Sequence, residues 1–362
     1  MNVPVARRQL LARPGRSLAG LAGIAVALLL VLALKAILAG AEERLTSYID
    51  RTGADVFVAQ RGVDTMHMTQ SALPAAVADA IAAVPGVAEA RPILYVPALA
   101  ERGEKRANVY IVGEDRPSIT LVEGRAPRAG EVVLDRGSSL GAPLGTTVHA
   151  LGARFRVVGA IEGTASLASS IALTDRSSLG RLVGSDASVS YVLVDGKPGV
   201  SAEELATRIG RTVPGVSAST REQFARSERR VVGDMATDIV RAMVLVGFVI
   251  GVAVAGLVAY GLTLPQLRDY AVLRALGLRA RGALALVLAQ VGALVALGFV
   301  LAVALAALLA ERLPQLSPTL ALALRPADVG LALAVAALVT AAAAAFPVVR
   351  VARVDPASVF RR

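Results

Sequence analysis

The stretch "DTMHMTQS", Asp64 to Ser71, sets two of the chain's five methionines, Met66 and Met68, around His67, one of only two histidines. Imidazole and thioether groups are ligands for haem iron and for soft copper, so Met66, His67 and Met68 are the candidate substrate-binding residues, and the candidate iron ligands where the substrate is haem. A lip loop whose methionines touch lipid or cover the following helix is the competing use of the same residues. His149, inside a strand-like run, reads as a packing or surface residue. With no Cys, two distant His and no paired spacing among the acids, a His-based triad or a multi-His metal centre is not expected. The only lysines, Lys35, Lys105 and Lys197, stand outside any Gly-x-x-x-x-Gly-Lys-Ser/Thr loop. No phosphate-cradling ATP site is therefore expected on this chain, and no cofactor is expected on it.

The elements that must hold these side chains are set by hydropathy. The chain has 362 residues, is 55% hydrophobic, and has a mean hydropathy of +0.62. Four uncharged blocks concentrate that excess: Ser17 to Leu34 with an apolar continuation to Ala41, Ala242 to Leu264, Gly282 to Ala310, and Val329 to Val349. Each is long enough to cross a hydrocarbon core of about 30 Å. The first is longer than the apolar core of an ordinary signal peptide and is expected to remain as a helix. The expected fold class is an α-helical membrane protein with four transmembrane helices and an extracytoplasmic α+β domain.

The net charge of +10 tests this reading, because a basic chain could instead bind nucleic acid. Twelve arginines lie in three short segments at 1–16, 264–281 and 350–362, opposed there only by Asp269 and Asp355, so these segments carry the whole net charge. By the positive-inside rule all three are cytoplasmic, with Lys35 snorkelling at the outer end of the first helix. Nucleic acid is thereby excluded as the reason for the charge. The expected boundaries are a cytoplasmic N-terminus at 1–16, spans at 17–41, 236–264, 282–310 and 329–349, an outer domain at 42–235, a cytoplasmic loop at 265–281, a short outer loop at 311–328, and a cytoplasmic tail at 350–362.

Within 42–235 a unit recurs. "ADVFVAQ" reads as a strand, "LPAAVADAIAA" as a helix, and "VPGV" leads into an apolar run; later "SVSYVLVDG", "SAEELATRIGR" and a second "VPGV" repeat the order, the helix opening on a Ser-x-x-Glu capping box. Two strand-helix-strand units imply a ferredoxin-like module. Between them, over about 100–187, a Gly-rich, strand-favouring insertion is expected to form a small separate β subdomain, with "TTVHALG" and "RFRVVGAIEG" as a hairpin. From Thr220 a helix is expected to run without a break into the second span.

"LPQLRDYAVLRALGLRAR", Leu264 to Arg281, drops four arginines and one acid between two uncharged spans. Leu267, Tyr270, Leu273 and Leu276 recur every three residues and Gly277 stands as a helix C′ residue, so a short helix along the inner membrane surface is expected. On the second span, Gly247, Gly251 and Ala255 form a small-residue ridge for close packing, either with a second copy or within one subunit.

"RDYAVLRALGLRARGALALVLAQ" resembles the cytoplasmic loop of MacB/FtsX-type ABC-transporter permeases through Leu273, Arg274, Ala275, Leu276 and Gly277, with Asp269 where that family has Glu and Tyr270 at its aliphatic position. "GEVVLD", "FRVVGAIEG", the tail "VARVDPASVFR" and the order of one helix, outer domain and three helices extend the resemblance over nearly the whole chain. It implies a permease subunit of the bacterial plasma (inner) membrane, homodimeric, whose loop residues Arg268, Asp269, Tyr270, Leu273, Arg274 and Gly277 dock on a separate ABC ATPase that holds ATP and Mg. It also implies transmission of motion to the outer domain, for export or extraction of an amphiphilic substrate such as haem, lipid or peptide. Members of similar size include haem-efflux permeases, permeases partnered by a periplasmic adaptor, and FtsX-like activators of a cell-wall hydrolase; a membrane-anchored enzyme is the reading from another class.

Overall fold

The computed structural model describes residues 14–67, 69–166, 169–263, 280–316 and 322–352. In chain order these form helix α1 (Pro14–Arg51), strands β1 (Val56–Gln60) and β2 (Leu73–Pro74), helix α2 (Ala76–Ala82), and strands β3 (Val87–Arg102), β4 (Lys105–Glu114), β5 (Glu123–Gly124), β6 (Glu131–Asp135), β7 (Thr147–Ala150), β8 (Ala153–Ile161) and β9 (Ser170–Asp175). Helix α3 (Arg176–Val183), strands β10 (Ser188–Val189) and β11 (Tyr191–Gly196), helix α4 (Ala202–Thr212), strand β12 (Val216–Thr220) and helices α5 (Arg221–Thr263), α6 (Ala280–Leu316) and α7 (Pro326–Ala352) follow. The chain divides into a helical unit, Met1–Ala39, Ala236–Arg312 and Leu322–Arg362, and a sheet unit, Gly40–Met235 with Leu313–Ala321.

Four helices are long and apolar enough to cross a membrane, with apolar stretches at Ser17–Arg51, Arg241–Gly261, Val287–Leu313 and Pro326–Ala345. In the helical unit Ile24, Leu28 and Leu32 of α1 share a core with Ala255 and Ala259 of α5, Val291 and Leu294 of α6, and Val335 and Val339 of α7. Small residues let these helices approach closely, the usual solution where no hydrophobic drive separates helix from lipid. A Cβ on Gly247 would stand 2.6 Å from Val31 Cγ2, one on Gly251 would stand 3.2 Å from Val339 Cγ2, and Ala255 is buried. The Gly247, Gly251, Ala255 ridge therefore packs against α1 and α7 of its own chain. Lys35 does not simply snorkel: its Nζ lies 3.3 Å from Asp328 Oδ1 in the first turn of α7.

In the sheet unit β12, β1, β11 and β3 are neighbours in that order, every pair antiparallel, with α2 after β1 and α4 after β11. This is the ferredoxin-like arrangement. Alternation along β1 explains its two cores. Val56 and Val58 meet Ile81 of α2 and Leu205 and Ile209 of α4, while Phe57 and Ala59 face Tyr48 and Ile49 of α1 and Phe224 and Ala225 of α5. The Ser201 hydroxyl accepts from Glu204 N–H, as the capping pattern requires. A second box appears at the start of α5, where Thr220 Oγ1 accepts from Gln223 N–H and Gln223 Oε1 accepts from Thr220 N–H.

The insertion differs from expectation in two ways. It is continuous with the ferredoxin-like module, because β3 pairs with β11 through Ile93 and then with β4 from Leu94, making one ten-stranded sheet that continues β3-β4-β9-β6-β8-β5. Its boundary thus falls inside a strand, near residue 94. It also holds a helix, α3, whose signals were a capping Asp175 bonded to Ser178 N–H and a left-handed Gly184. The hairpin of β7 and β8 forms as expected around Leu151 and Gly152, both with positive φ, the pair that a two-residue type I′ turn needs. Finally, α1 runs ten residues beyond its expected end at Ala41, into the sheet unit.

Replacing Gly247 by Leu is expected to destabilise the helical unit by about 1–3 kcal/mol through overpacking against Val31. Gly256→Ala, where nothing lies within 4 Å, serves as the control. Unfolding in detergent should show the loss at every protein concentration; equal tolerance of both changes would remove the close contact from the account.

Candidate functional site

The segment 61–72 that carries the Met-His sequence is tied at both ends. Arg61 N–H donates to Gly215 O at 2.9 Å, Gly62 N–H to Ser217 Oγ at 3.1 Å, and Gln60 N–H to Ser71 Oγ at 2.9 Å. Its centre is held by Glu228 of α5, a side chain with no exposed surface. Glu228 Oε2 accepts from Met66 N–H at 2.6 Å, and Oε1 lies 2.7 Å from His67 Nδ1. A carboxylate only accepts, so Nδ1 donates, and the Tyr95 hydroxyl, 3.2 Å from Nε2, completes the ring's bonding. Burial, reinforced by Tyr110 and Glu228, pushes the Tyr95 phenol well above its ordinary pKa, which keeps it a protonated donor at neutral pH.

Three strands bring the tyrosines together. Tyr95 of β3 stacks on Tyr110 of β4 with centroids 5.0 Å apart, His67 meets Tyr110 edge-on at 4.6 Å, and Tyr191 of β11 meets Tyr95 at 6.2 Å. Tyr191 donates to Thr65 O at 3.0 Å, giving segment 61–72 a further tie. Burial and the nearby Glu228 raise the Tyr191 pKa, and the same two causes raise that of Tyr110. Around this group lies a cavity of about 430 Å³ bordered by Met66, His67, Tyr95, Tyr110, Ser190 and Tyr191, within the size range of ligand pockets. Among the described residues, no Asp, Glu, Lys or Arg side chain lines it.

This geometry changes the chemistry expected of the Met-His stretch. Met66 is 4% exposed and belongs to the core with Tyr48, Ile93 and Phe224, so its thioether is not offered to a ligand. His67 lines the cavity, but both ring nitrogens already have partners, and iron at Nε2 would have to displace the Tyr95 hydroxyl. Of the two described residues, neither Met66 nor His67 as bonded here presents a free ligand atom to haem iron. Met68 lies outside the described residues, as do Arg268, Asp269, Tyr270, Leu273, Arg274 and Gly277. His149 is exposed in β7, opposite Glu101 of β3. Among the described residues no group of three or more His, Cys, Asp or Glu is placed to hold a metal ion.

Glu228 and the three tyrosines were not singled out in the sequence. A signal for Glu228 did exist: it follows Phe224 by four and Ala225 by three, an acid on the otherwise apolar face of a helix. The tyrosines gave only their scarcity, since residues on three separate strands meet through sheet pairing.

The class follows first: four apolar helices, with an α+β unit of ferredoxin-like core between the first and second, define an integral membrane protein with a large extramembrane unit. Residues 17–212 match the family model of the MacB-like periplasmic core domain, and the chain belongs to that family. It is 29% identical over 325 residues to an uncharacterized ABC transporter permease of Mycobacterium tuberculosis strain H37Rv, and 26% identical over 322 residues to another of Mycobacterium bovis, with 86% of each chain covered in both comparisons. Among solved structures it is similar to the periplasmic region of MacB from Actinobacillus actinomycetemcomitans, with a TM-score of 0.37, 16% identity, and coverage of 49% of this chain and 92% of that one. The extracellular domain of the noncanonic ABC-type transporter YknZ from Gram-positive bacteria gives a TM-score of 0.37, 14% identity, and coverage of 46% and 100%. The chain is thus an ABC transporter permease of the MacB type, a subunit whose class works with an ATPase partner.

Glu228→Ala is expected to destabilise the sheet unit, because the Met66 N–H and His67 Nδ1–H would lose their acceptor at about 1–3 kcal/mol for each buried donor. Glu228→Gln keeps one acceptor oxygen, for Met66 N–H, and sets its amide nitrogen against His67 Nδ1, so it should recover about half of the loss. Thermal unfolding followed by tyrosine ellipticity measures this; an unchanged midpoint in the alanine variant would show that the carboxylate holds nothing.

Proposed function

We propose that this permease passes nucleotide-driven movement of a separate ATPase to its outer unit, and that segment 61–72 and the cavity beside it receive that movement. The supporting observation is Glu228: a fully buried carboxylate, on a helix running unbroken from Arg221 to Thr263, that grips Met66 and His67. The same helix contains the apolar stretch Arg241–Gly261. A helix transmits axial displacement stiffly, so movement of α5 would be felt first at the residues that Glu228 holds.

The distribution of arginines supports cytoplasmic termini and a cytoplasmic 264–281 segment. The resemblance through Leu273 to Gly277 supports that segment as the ATPase dock, with Asp269 and Arg274 as its charged contacts. The substrate would act from the outer side, and the neutral cavity suits an uncharged or amphiphilic group better than an ionic one. The partnered imidazole weighs against haem.

The deciding change is Arg274→Glu. Co-purification with its partner ATPase should be lost, while membrane insertion and the protease-resistant outer unit stay intact. A variant that still captures the ATPase and supports its hydrolysis at the normal rate would overturn the docking assignment.

A further inference from the structure

β3 is the longest strand, and it is not paired along its whole length on both sides. One side pairs with β4 from Leu94 to Arg102. On the other, β11 accompanies it only as far as Ile93, opposite Tyr191, and β7 meets it only at Glu101, opposite His149. Between those points, residues 95–99 have no strand beside them among the described residues.

The direction of the main chain there is fixed by two bonds. Ser190 N–H donates to Ile93 O at 2.8 Å, and Tyr95 N–H donates to the Ser190 hydroxyl at 2.9 Å. Backbone groups alternate sides along a strand, so odd-numbered residues of this stretch point away from β4. The Pro97 carbonyl and both polar groups of Leu99 thus face the open side. Pro97 confirms the assignment, since a proline is tolerated in a strand where its missing N–H would face no partner. The open edge spans about 13 Å at the usual rise per residue.

The cavity beside the tyrosines lies along this edge, with Leu94, Tyr95, Val96 and Pro97 in its wall and Ser188 to Tyr191 across from them. A shallower concavity continues it past Leu99, which is 49% exposed, and again contains no charged side chain. Tyr95 and Tyr191 are 8% and 1% exposed and pack on other rings, so they offer no open aromatic face to a sugar or flat ring. What the site offers, among the described residues, is main-chain donors and acceptors at strand spacing with no strand opposite them, beside neutral pockets. That is the chemistry of strand addition.

We propose that an extended, uncharged peptide segment of another polypeptide adds as a strand to the open edge of β3 between Tyr95 and Leu99, placing alternate side chains in the cavity walled by His67, Tyr110 and Ser190. This does not depend on the coupling role of α5 or on ATPase docking, so it can fail or hold separately from them.

The test uses the full-length chain in lipid nanodiscs without nucleotide. The probe is a pool of N-acetylated, C-amidated pentapeptides built from Val, Leu, Thr, Ser, Tyr and Gln, read by affinity selection and mass spectrometry. Two further pools carry N-methyl groups at alternate residues, one in each phase. Only the phase that blocks amides facing β3 should lose enrichment, by about tenfold for one or two main-chain hydrogen bonds. Leu99→Pro should lose enrichment similarly, whereas Leu99→Ala should keep it within about threefold. No enrichment over empty nanodiscs, equal binding of both N-methylated pools, or undiminished binding by a folded Leu99→Pro variant would each overturn the proposal. A change of Leu99→Pro from dimer to monomer without peptide enrichment would also overturn it, assigning the edge to a second copy of the chain.

Discussion

A carboxylate with no contact to water has to be compensated where it stands, and Glu228 is such a group. A buried donor that loses its acceptor costs about 1–3 kcal/mol, so the arrangement around the carboxylate is tightly constrained once the helix is in place. Met66 N–H and His67 supply the compensation, and both lie on a segment that would otherwise be a surface loop. That requirement holds the segment at Met66 and His67, turns the imidazole so that Nε2 meets Tyr95, and thereby sets one wall of the cavity. The tyrosine group depends on the same turn of α5, because Phe224, one helical turn before Glu228, packs on Tyr191 and stacks on Phe57.

The parts of the fold that were legible are those governed by one-dimensional periodicity. Uncharged runs of bilayer length gave the four apolar helices, short runs rich in Val gave β1 and β6, and the Ser201 cap opened α4 where its spacing placed it. The repeat around "VPGV" gave the ferredoxin-like core, since each copy encodes a complete strand-helix-strand unit. Less legible was anything decided by a shared element. β3 reads as a strand of either module, and only pairing shows that it belongs to both, changing partner between Ile93 and Leu94. Helix α1 continues to Arg51 because Tyr48 and Ile49 find an apolar core there, which local hydropathy could not show.

At the site the sequence conveyed residue type but not bonding state. Met66, His67 and Met68 suggested ligands because soft donors and imidazole are rare in this chain. Whether a histidine ligates or bridges depends on whether a nitrogen lone pair is free, and that is decided by Glu228 far along the chain and Tyr95 on another strand. Met66 illustrates the same point from the apolar side: a thioether packs as readily as it coordinates, and burial chooses between the two.

The small-residue ridge on α5 obeys an identical logic. Gly247, Gly251 and Ala255 specify a close approach but carry no information about which helix approaches. In the helical unit the partners are Val31 of α1 and Val339 of α7, so the close contact is consumed within one chain. Leu245, Val249 and Leu257, each more than half exposed on α5, are lipid-facing in a lone subunit, and lipid tails solvate them as well as another protein would. Pairing through such a face gains little from apolar burial alone. Any self-association would then have to be held by shape or by polar contacts rather than by apolar burial.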